Sequence, residues 1–231
     1  MKVFGLKKTY ESRVVLDVPQ IEFADGAINA ILGANGSGKS TLAKLIARIE
    51  QPDDGAALRV EPSPGSPLRS GAMNIGYLPQ QSYAFRMSLK RNIALNAQSE
   101  QEQARVDLLM QRLNLSHLAE KRGKQLSGGE TARMALARLL VHDYDVIVLD
   151  EPTAATDEES TLVIEELLRD YVRRTGATAL IITHELKQAM RIADAVYYLE
   201  KGALVECGPA GEFFENARDE RTRAFINFYR I

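Results

Sequence analysis

Ile28–Ser40, INAILGANGSGKS, is the stretch on which the fold turns. Ile28 to Leu32 has the character of a buried strand and runs straight into glycines. Leu42, Leu45, Ile46 and Ile49 follow at helical spacing, so the order is strand, glycine-rich turn, helix. Within it, Gly33-Ala34-Asn35-Gly36-Ser37-Gly38-Lys39-Ser40 satisfies G-x-x-x-x-G-K-[ST] in the context that gives this pattern meaning. Such a loop turns successive amides inward at phosphate oxygens, and glycines permit the close backbone approach. The helix N-terminus adds its dipole. Gly33, Asn35, Gly36, Ser37, Gly38 and Thr41 are the expected cradle. Lys39 is placed to neutralise β- and γ-phosphates, and Ser40 to offer a hydroxyl to Mg²⁺. A plain strand-to-helix turn carrying an exposed, solvated lysine is the competing reading of the same letters.

A second strand ends in acid. Val146-Ile147-Val148-Leu149 delivers Asp150 and Glu151 to a strand terminus, where open parallel sheets place their ligands. Asp150 is expected to hold Mg²⁺, and Glu151 to orient or deprotonate an attacking water. Beside a phosphate loop, a solvated strand end closed by Pro152 is the weaker explanation.

Outward from these two stretches, the opening segment shows short strands at Val14–Leu16 and Ile21–Phe23, punctuated by Pro19 and Asp25-Gly26. Gln51–Gly71 is proline-rich and is expected to be a surface loop around a short strand near residues 57–60. From Ser88 to His142 the pattern is helical, with Ser99 and Glu102 as a capping box. Strand signals return at Ala179–Thr183, after a helix over Thr161–Tyr171. Ala195–Leu199 and Ala203–Val205 form a hairpin around Lys201-Gly202, and Gly211–Ile231 is expected to be helical. Phe213, Phe214, Phe225 and Phe228 would pack that tail onto the core. Alternating strands and helices imply a parallel sheet covered on both faces.

The 231 residues suit one large domain, or a core with an insertion. Twenty-nine basic against 31 acidic side chains give a net charge of -2, so nothing in the overall charge suggests wrapping nucleic acid or binding anionic lipid. The single cysteine, Cys207, and the absence of a signal peptide point to the reducing cytosol. No apolar run approaches the roughly 20 residues that cross a bilayer, so any pore would be another chain.

A phosphate loop alone leaves kinases, GTPases and helicases open. Leu126-Ser127-Gly128-Gly129-Glu130 resembles the signature of ABC-type ATP-binding subunits, and the resemblance covers nearly the whole chain in order. Tyr10 sits where that family has an aromatic that stacks on adenine. Gln80 matches the glutamine that reaches Mg²⁺ and the attacking water, Ala154-Ala155-Thr156-Asp157 matches the D-loop, and His184 matches the histidine at the γ-phosphate. Locally, Ser127 and Glu130 form a capping box, and Ser127, Gly128 and Gly129 make an anion site suited to a phosphate presented by another molecule.

The resemblance implies an α/β P-loop NTPase (RecA-like) core over residues 1–86 and 141–231. To this it adds an N-terminal antiparallel β subdomain and an inserted helical subdomain at 87–140 that carries the signature, all in one ABC ATPase domain. The implied reaction is Mg²⁺-dependent ATP hydrolysis. Glu151, His184, Gln80 and Lys39 would be catalytic, with Ser40, Gln80 and Asp150 at the metal. The implied partners are a second ATPase subunit in a head-to-tail dimer, an integral membrane permease and a solute-binding protein acting with it, and no nucleic acid. The chain would sit peripherally on the cytoplasmic face of the membrane. Its ending, Gly208 to Phe225, is similar to importer motors for polar amino acids or oxyanions such as phosphate and tungstate.

There are departures from the family's commonest pattern. Glu130 replaces Gln, Thr131-Ala132 replaces a more polar pair, and Thr156, expected to face the dimer contact, replaces Leu. Two rivals remain: a non-transport ABC ATPase serving assembly or regulation, and a module that holds nucleotide without turnover. Glu151 and His184 weigh against the second. His117 and His142 have no ligand-spaced partners and are expected to be surface or capping residues.

Overall fold

The computed structural model describes residues 1–53, 59–61 and 73–229. In chain order its strands and α-helices are β1 (Lys2–Tyr10), β2 (Arg13–Glu22), β3 (Ile28–Leu32), α1 (Lys39–Ile46), β4 (Arg59–Glu61), β5 (Ile75–Leu78), α2 (Leu89–Ala94), α3 (Glu100–Arg112) and α4 (Gly128–Leu140). There follow β6 (Val146–Asp150), α5 (Glu158–Thr175), β7 (Thr178–Ile182), α6 (Leu186–Ile192), β8 (Ala195–Glu200), β9 (Ala203–Pro209), α7 (Ala210–Glu215) and α8 (Glu220–Tyr229).

Two sheets result. The first has the order β2-β1-β4 and is antiparallel; the second is six-stranded in the order β5-β6-β7-β3-β8-β9. Within the second, β5, β6, β7, β3 and β8 are parallel and only β9 runs against its neighbour. This is the expected α/β architecture with its antiparallel β unit. Side chains alternate between the two faces of the large sheet, as strand geometry requires. Ile31, Val148, Leu180 and Ile182 join α1 and the first sheet on one side. Ile147, Leu149 and Ile181 join α4 and α5 on the other, together with Leu89, Ile93, Val106 and Leu109 of α2 and α3. The helical stretch therefore shares its apolar core with the sheet.

Several sequence expectations needed correction. β2 is one ten-residue strand that passes through Pro19. It lies at the edge of its sheet, and the pairing steps from Leu6↔Val18 to Phe4↔Gln20, so the missing N–H costs no ladder bond. Ile49 does not extend α1: Arg48 takes a left-handed φ of 58° and Ile49 is 61% exposed. Most of the expected loop at 51–71 lies outside the described residues, though its short strand is present as β4. The tail is two helices, because Glu206 accepts the backbone N–H groups of Arg218 and Asp219 at 2.8 and 3.0 Å and holds the chain between them non-helical. Residues 230 and 231 of the expected tail lie outside the described residues. Phe213, Phe214 and Phe225 are buried as expected, while Phe228 is 73% exposed.

Candidate active site

Four adjacent strands, β5, β6, β7 and β3, end at one edge of the sheet and each hands on a candidate residue: Gln80, Glu151, His184 and the glycine loop. Parallel pairing of Leu78 with Leu149, of Asp150 with Ile182 and of Ile31 with Ile182 brings these ends level. A cavity of about 340 Å³ opens there, lined by Asn35, Gly36, Gly38, Lys39, Ser40, Thr41, Gln80, Glu151 and, unforeseen from sequence, Val15.

The loop's glycines are required by space. A Cβ on Gly33 would lie 2.3 Å from the carbonyl oxygen of Leu199, and Gly38 has a φ of 100° with its Cβ position 2.8 Å from the Val15 carbonyl oxygen. Lys39 is not the exposed loop lysine expected. It is 6% exposed, and its Nζ donates to the carbonyls of Gly33 at 2.8 Å and Ala34 at 3.0 Å, pinning the loop to its own helix. Burial pushes the ammonium's pKa down, opposed by the charges of Glu151 and Asp150.

Asp150 is 3% exposed, and its Oδ1 meets no donor among the described residues. Burial holds its carboxyl above the usual range; a hydrogen bond from Ser40 opposes that and the charge of Glu151 adds to it. A buried oxygen short of a partner, with a serine hydroxyl beside it and an amide oxygen available from nearby Gln80, is a hard-oxygen donor set. It fits Mg²⁺, which is commonly held by one or two carboxylates plus phosphates and waters.

Glu151 leaves β6 with a left-handed φ of 52°, while its N–H donates to Ile182 at 2.9 Å. This turn aims the carboxylate into the cavity mouth. Gln80 Nε2 donates to Oε2 at 3.1 Å, and His184 Nδ1 lies 3.0 Å from Oε1. Glu151, Gln80 and His184, named together from the sequence, thus form one contiguous group.

Tyr10 stands apart from the cavity lining. Its hydroxyl donates to Glu50, a partner that no sequence signal gave, and is also hydrogen-bonded by Thr41 of the cradle; Lys8 Nζ lies 5.6 Å from the ring centroid. The ring is 40% exposed and presents apolar area beside the phosphate site.

Ser127–Gly129 also lie outside the residues lining the cavity. The capping box forms as expected: Glu130 N donates to Ser127 Oγ at 3.2 Å, and Glu130 Oε2 accepts from Ser127 N at 2.8 Å. Lys121 donates to the same carboxylate at 2.8 Å and, with the Ser127 amide, holds the Glu130 carboxyl below its ordinary range. The Glu130 carboxylate is therefore ion-paired with Lys121 while it caps the helix start. Beyond Gly128 the space is open.

Thr156 does not simply face outward. Its hydroxyl donates to Thr153 O at 2.8 Å and lies 3.1 Å from Thr161 Oγ1, tying the D-loop segment to itself. His142, expected to be a surface or capping residue, is half-buried and partnered. Its Nδ1 lies 2.7 Å from Glu102 and its Nε2 lies 2.9 Å from Asn74 Nδ2, joining α3 to the edge of the large sheet.

A phosphate cradle, a cation-fitting carboxylate and a second carboxylate held between Gln80 and His184 define a P-loop nucleoside-triphosphatase fold and site. The family profile described as "ABC transporter" matches residues 16–154. Among relatives, the chain is 40% identical to the tungstate uptake system ATP-binding protein TupC of Peptoclostridium acidaminophilum, over 92% of this chain and 98% of that one. It is 36% identical to the methionine import ATP-binding protein MetN of Bordetella pertussis, over 90% of this chain but only 60% of that one. Among solved structures, the dimeric ATP-binding cassette MJ0796 in a post-hydrolysis state with ADP and Pi superposes with a TM-score of 0.77. Identity there is 25%, over 90% of this chain and 98% of that one. This chain belongs to the ABC transporter family, as an ATP-binding, ATP-hydrolysing subunit. No helix among the described residues is long and apolar enough to cross a membrane.

Proposed function

We propose that the chain is the Mg²⁺-dependent ATPase of an uptake system, working as a head-to-tail dimer on a membrane permease that moves a small polar solute or an oxyanion. The observation that carries the hydrolytic part is the Glu151 carboxylate, fixed at the mouth of the cavity between Gln80 and His184. Asn35, Gly36, Ser37, Gly38 and Thr41 cradle the phosphates, and Lys39 exchanges carbonyl partners for β- and γ-oxygens. Ser40, Asp150 and Gln80 would hold Mg²⁺, which supplies charge neutralisation at the phosphates. Glu151 accepts the proton of the attacking water, with His184 on the γ-phosphate. Tyr10 offers its ring to adenine.

Ser127, Gly128 and Gly129, outside their own chain's cavity, serve the nucleotide of a second subunit through the start of α4. ATP then bridges two subunits and hydrolysis releases them, a cycle that closes and opens the pair. Residues 87–140 form the inserted helical part of a single ATPase domain. Tyr83 and Phe85, exposed and packed edge to face at 5.1 Å just beyond Gln80, offer the permease an apolar landing site. The chain would work on the cytoplasmic face of the membrane, and the permease would receive its solute from a solute-binding protein.

TupC and MetN are named for uptake of tungstate and methionine, and full-length likeness to TupC favours the oxyanion. Co-expression with a candidate permease and solute-binding protein tests this: tungstate or phosphate should stimulate phosphate release in vesicles. Stimulation by an amino acid alone would reassign the cargo, and no release without or with solute would remove the ATPase role.

A further inference from the structure

The turn after β6 and the helix after β7 are joined by three rungs. The backbone rung is Glu151 N–H to Ile182 O at 2.9 Å, and the outer rung is His184 Nδ1 with Glu151 Oε1 at 3.0 Å. The third is Gln188 Nε2 donating to Thr153 Oγ1 at 2.9 Å. Gln188 stands four residues beyond His184, one helical turn on, and Thr153 stands two beyond Glu151. The second and third rungs differ in environment. His184 has 48% of its side chain exposed, whereas Gln188 and Thr153 are 1% and 4% exposed.

Gln188 is poorly provided for. Its Oε1 is buried and meets no donor among the described residues, a state that disfavours the fold by about 1–3 kcal/mol. An apolar side chain of similar length would avoid that cost, so packing alone does not explain a glutamine here. Thr153 continues the connection: its carbonyl accepts the Thr156 amide at 3.0 Å and the Thr156 hydroxyl at 2.8 Å, and the latter lies 3.1 Å from Thr161 Oγ1. Residue 155 lies against the signature helix, the Cβ position of Gly129 being 3.0 Å from the Ala155 carbonyl oxygen.

We infer that Gln188 is a positioning residue, and that its hydrogen bond to Thr153 is the buried pivot holding the 151–156 turn to α6. The outer rung occupies a carboxylate oxygen that hydrolysis needs, and His184 must let go of it to meet a phosphate. While that rung opens, the buried one keeps Glu151 and His184 in one body and carries any movement of α6 to Thr153, Thr156 and the segment beside Gly129. This rests on Glu151 being the base.

The test pairs Thr153→Ser, which keeps the hydroxyl, with the double variant Gln188→Met/Thr153→Val, which replaces both partners by apolar groups and so leaves nothing buried and unpaired. Expected are wild-type turnover for the serine variant and, for the double variant, ATP affinity and Tm close to wild type with kcat lowered on the order of tenfold to a hundredfold, the scale of a misplaced catalytic group. Double-variant kcat within about twofold of wild type overturns the inference. So does a kcat loss that only follows a fall in Tm or in ATP affinity. If the double variant does not fold, comparison of Thr153→Ser with Gln188→Met alone, which removes the buried amide instead of leaving it unpaired, decides on the same readouts. Glu151→Gln run alongside separates the two claims: a normal rate there removes the base assignment itself, whereas an inactive Glu151→Gln with a fully active double variant removes only the pivot.

Discussion

His184 Nδ1 lies 3.0 Å from Glu151 Oε1, and since an ionised carboxylate can only accept, the proton on that contact belongs to the histidine. Gln80 Nε2 occupies the other carboxylate oxygen at 3.1 Å. Both oxygens of the Glu151 carboxylate are thus engaged, by the two residues proposed to act at the metal and at the γ-phosphate. Under the proposed mechanism, a γ-phosphate draws Gln80 and His184 off the carboxylate and frees it to take the proton of the attacking water.

Replacing Glu151 by Gln keeps the shape and removes the base. Hydrolysis should fall on the order of a hundredfold or more while ATP still binds. The uncleaved γ-phosphate should then accumulate a nucleotide-trapped dimer, seen by size exclusion with ATP and Mg²⁺. A normal rate of phosphate release would show that another group takes the proton.

Lys39→Ala should abolish turnover and weaken ATP binding, but the fold effect is a balance. The change removes a buried ammonium that burial disfavours, yet leaves the Gly33 and Ala34 carbonyls without their donor. Unsatisfied buried acceptors disfavour the fold by about 1–3 kcal/mol and relief of the buried charge offsets part of that, so Tm should fall by less than about 10 °C. Unchanged nucleotide affinity by calorimetry would dissolve the cradle assignment.

Asp150 gives a pH dependence with a definite sign. Burial raises its carboxyl above the unfolded value, despite the hydrogen bond from Ser40 and with the help of Glu151. The folded chain then binds this proton more readily than the unfolded one. The stability contribution is full below the unfolded pKa and is lost as pH rises through the folded one. Asp150→Asn should therefore be inactive yet melt higher than wild type near pH 7, with the difference closing as pH falls into the carboxylate range. A variant less stable at pH 7 would show that the ionised carboxylate stabilises the fold.

Much of this was legible in the sequence, because local rules governed it. The bounds of β3 and the start of α1 follow from apolar run, glycine loop and lysine; β6 and β7 follow in the same way. Ser127–Glu130 and Ser99–Glu102 capped their helices as the spacing implied. What stayed hidden depends on strand order. Lys39 is buried because Gly33 and Ala34 fold back over it. His142 meets Glu102 40 residues away, Tyr10 meets Glu50, and Gln188 meets Thr153 only because β6 and β7 are neighbours. No local pattern carries such pairings.

Ser127 is exposed at the start of α4, outside the residues that line the Lys39 cavity, so within one subunit the two halves do not meet. If α4 serves a neighbour's nucleotide, Lys39→Ala and Ser127→Arg each ruin both sites of a homodimer. A mixed dimer differs: one site collects both lesions and the other joins an intact cradle to an intact signature. Random assortment makes half the pairs mixed, each with one good site in two. Equal mixing should therefore restore up to about a quarter of wild-type hydrolysis if the sites act independently, and less if they are coupled. ATP-dependent crosslinking confirms that mixed pairs form, and nucleotide trapping reports on the one intact site even where coupling suppresses turnover. Ser127→Ala provides a further check, since loss of the cap alone weakens the helix by about 1 kcal/mol without adding bulk at an interface. Mixed dimers that crosslink yet neither trap nor hydrolyse ATP would mean that the signature does not complete the neighbour's site, leaving Ser127 as a helix cap.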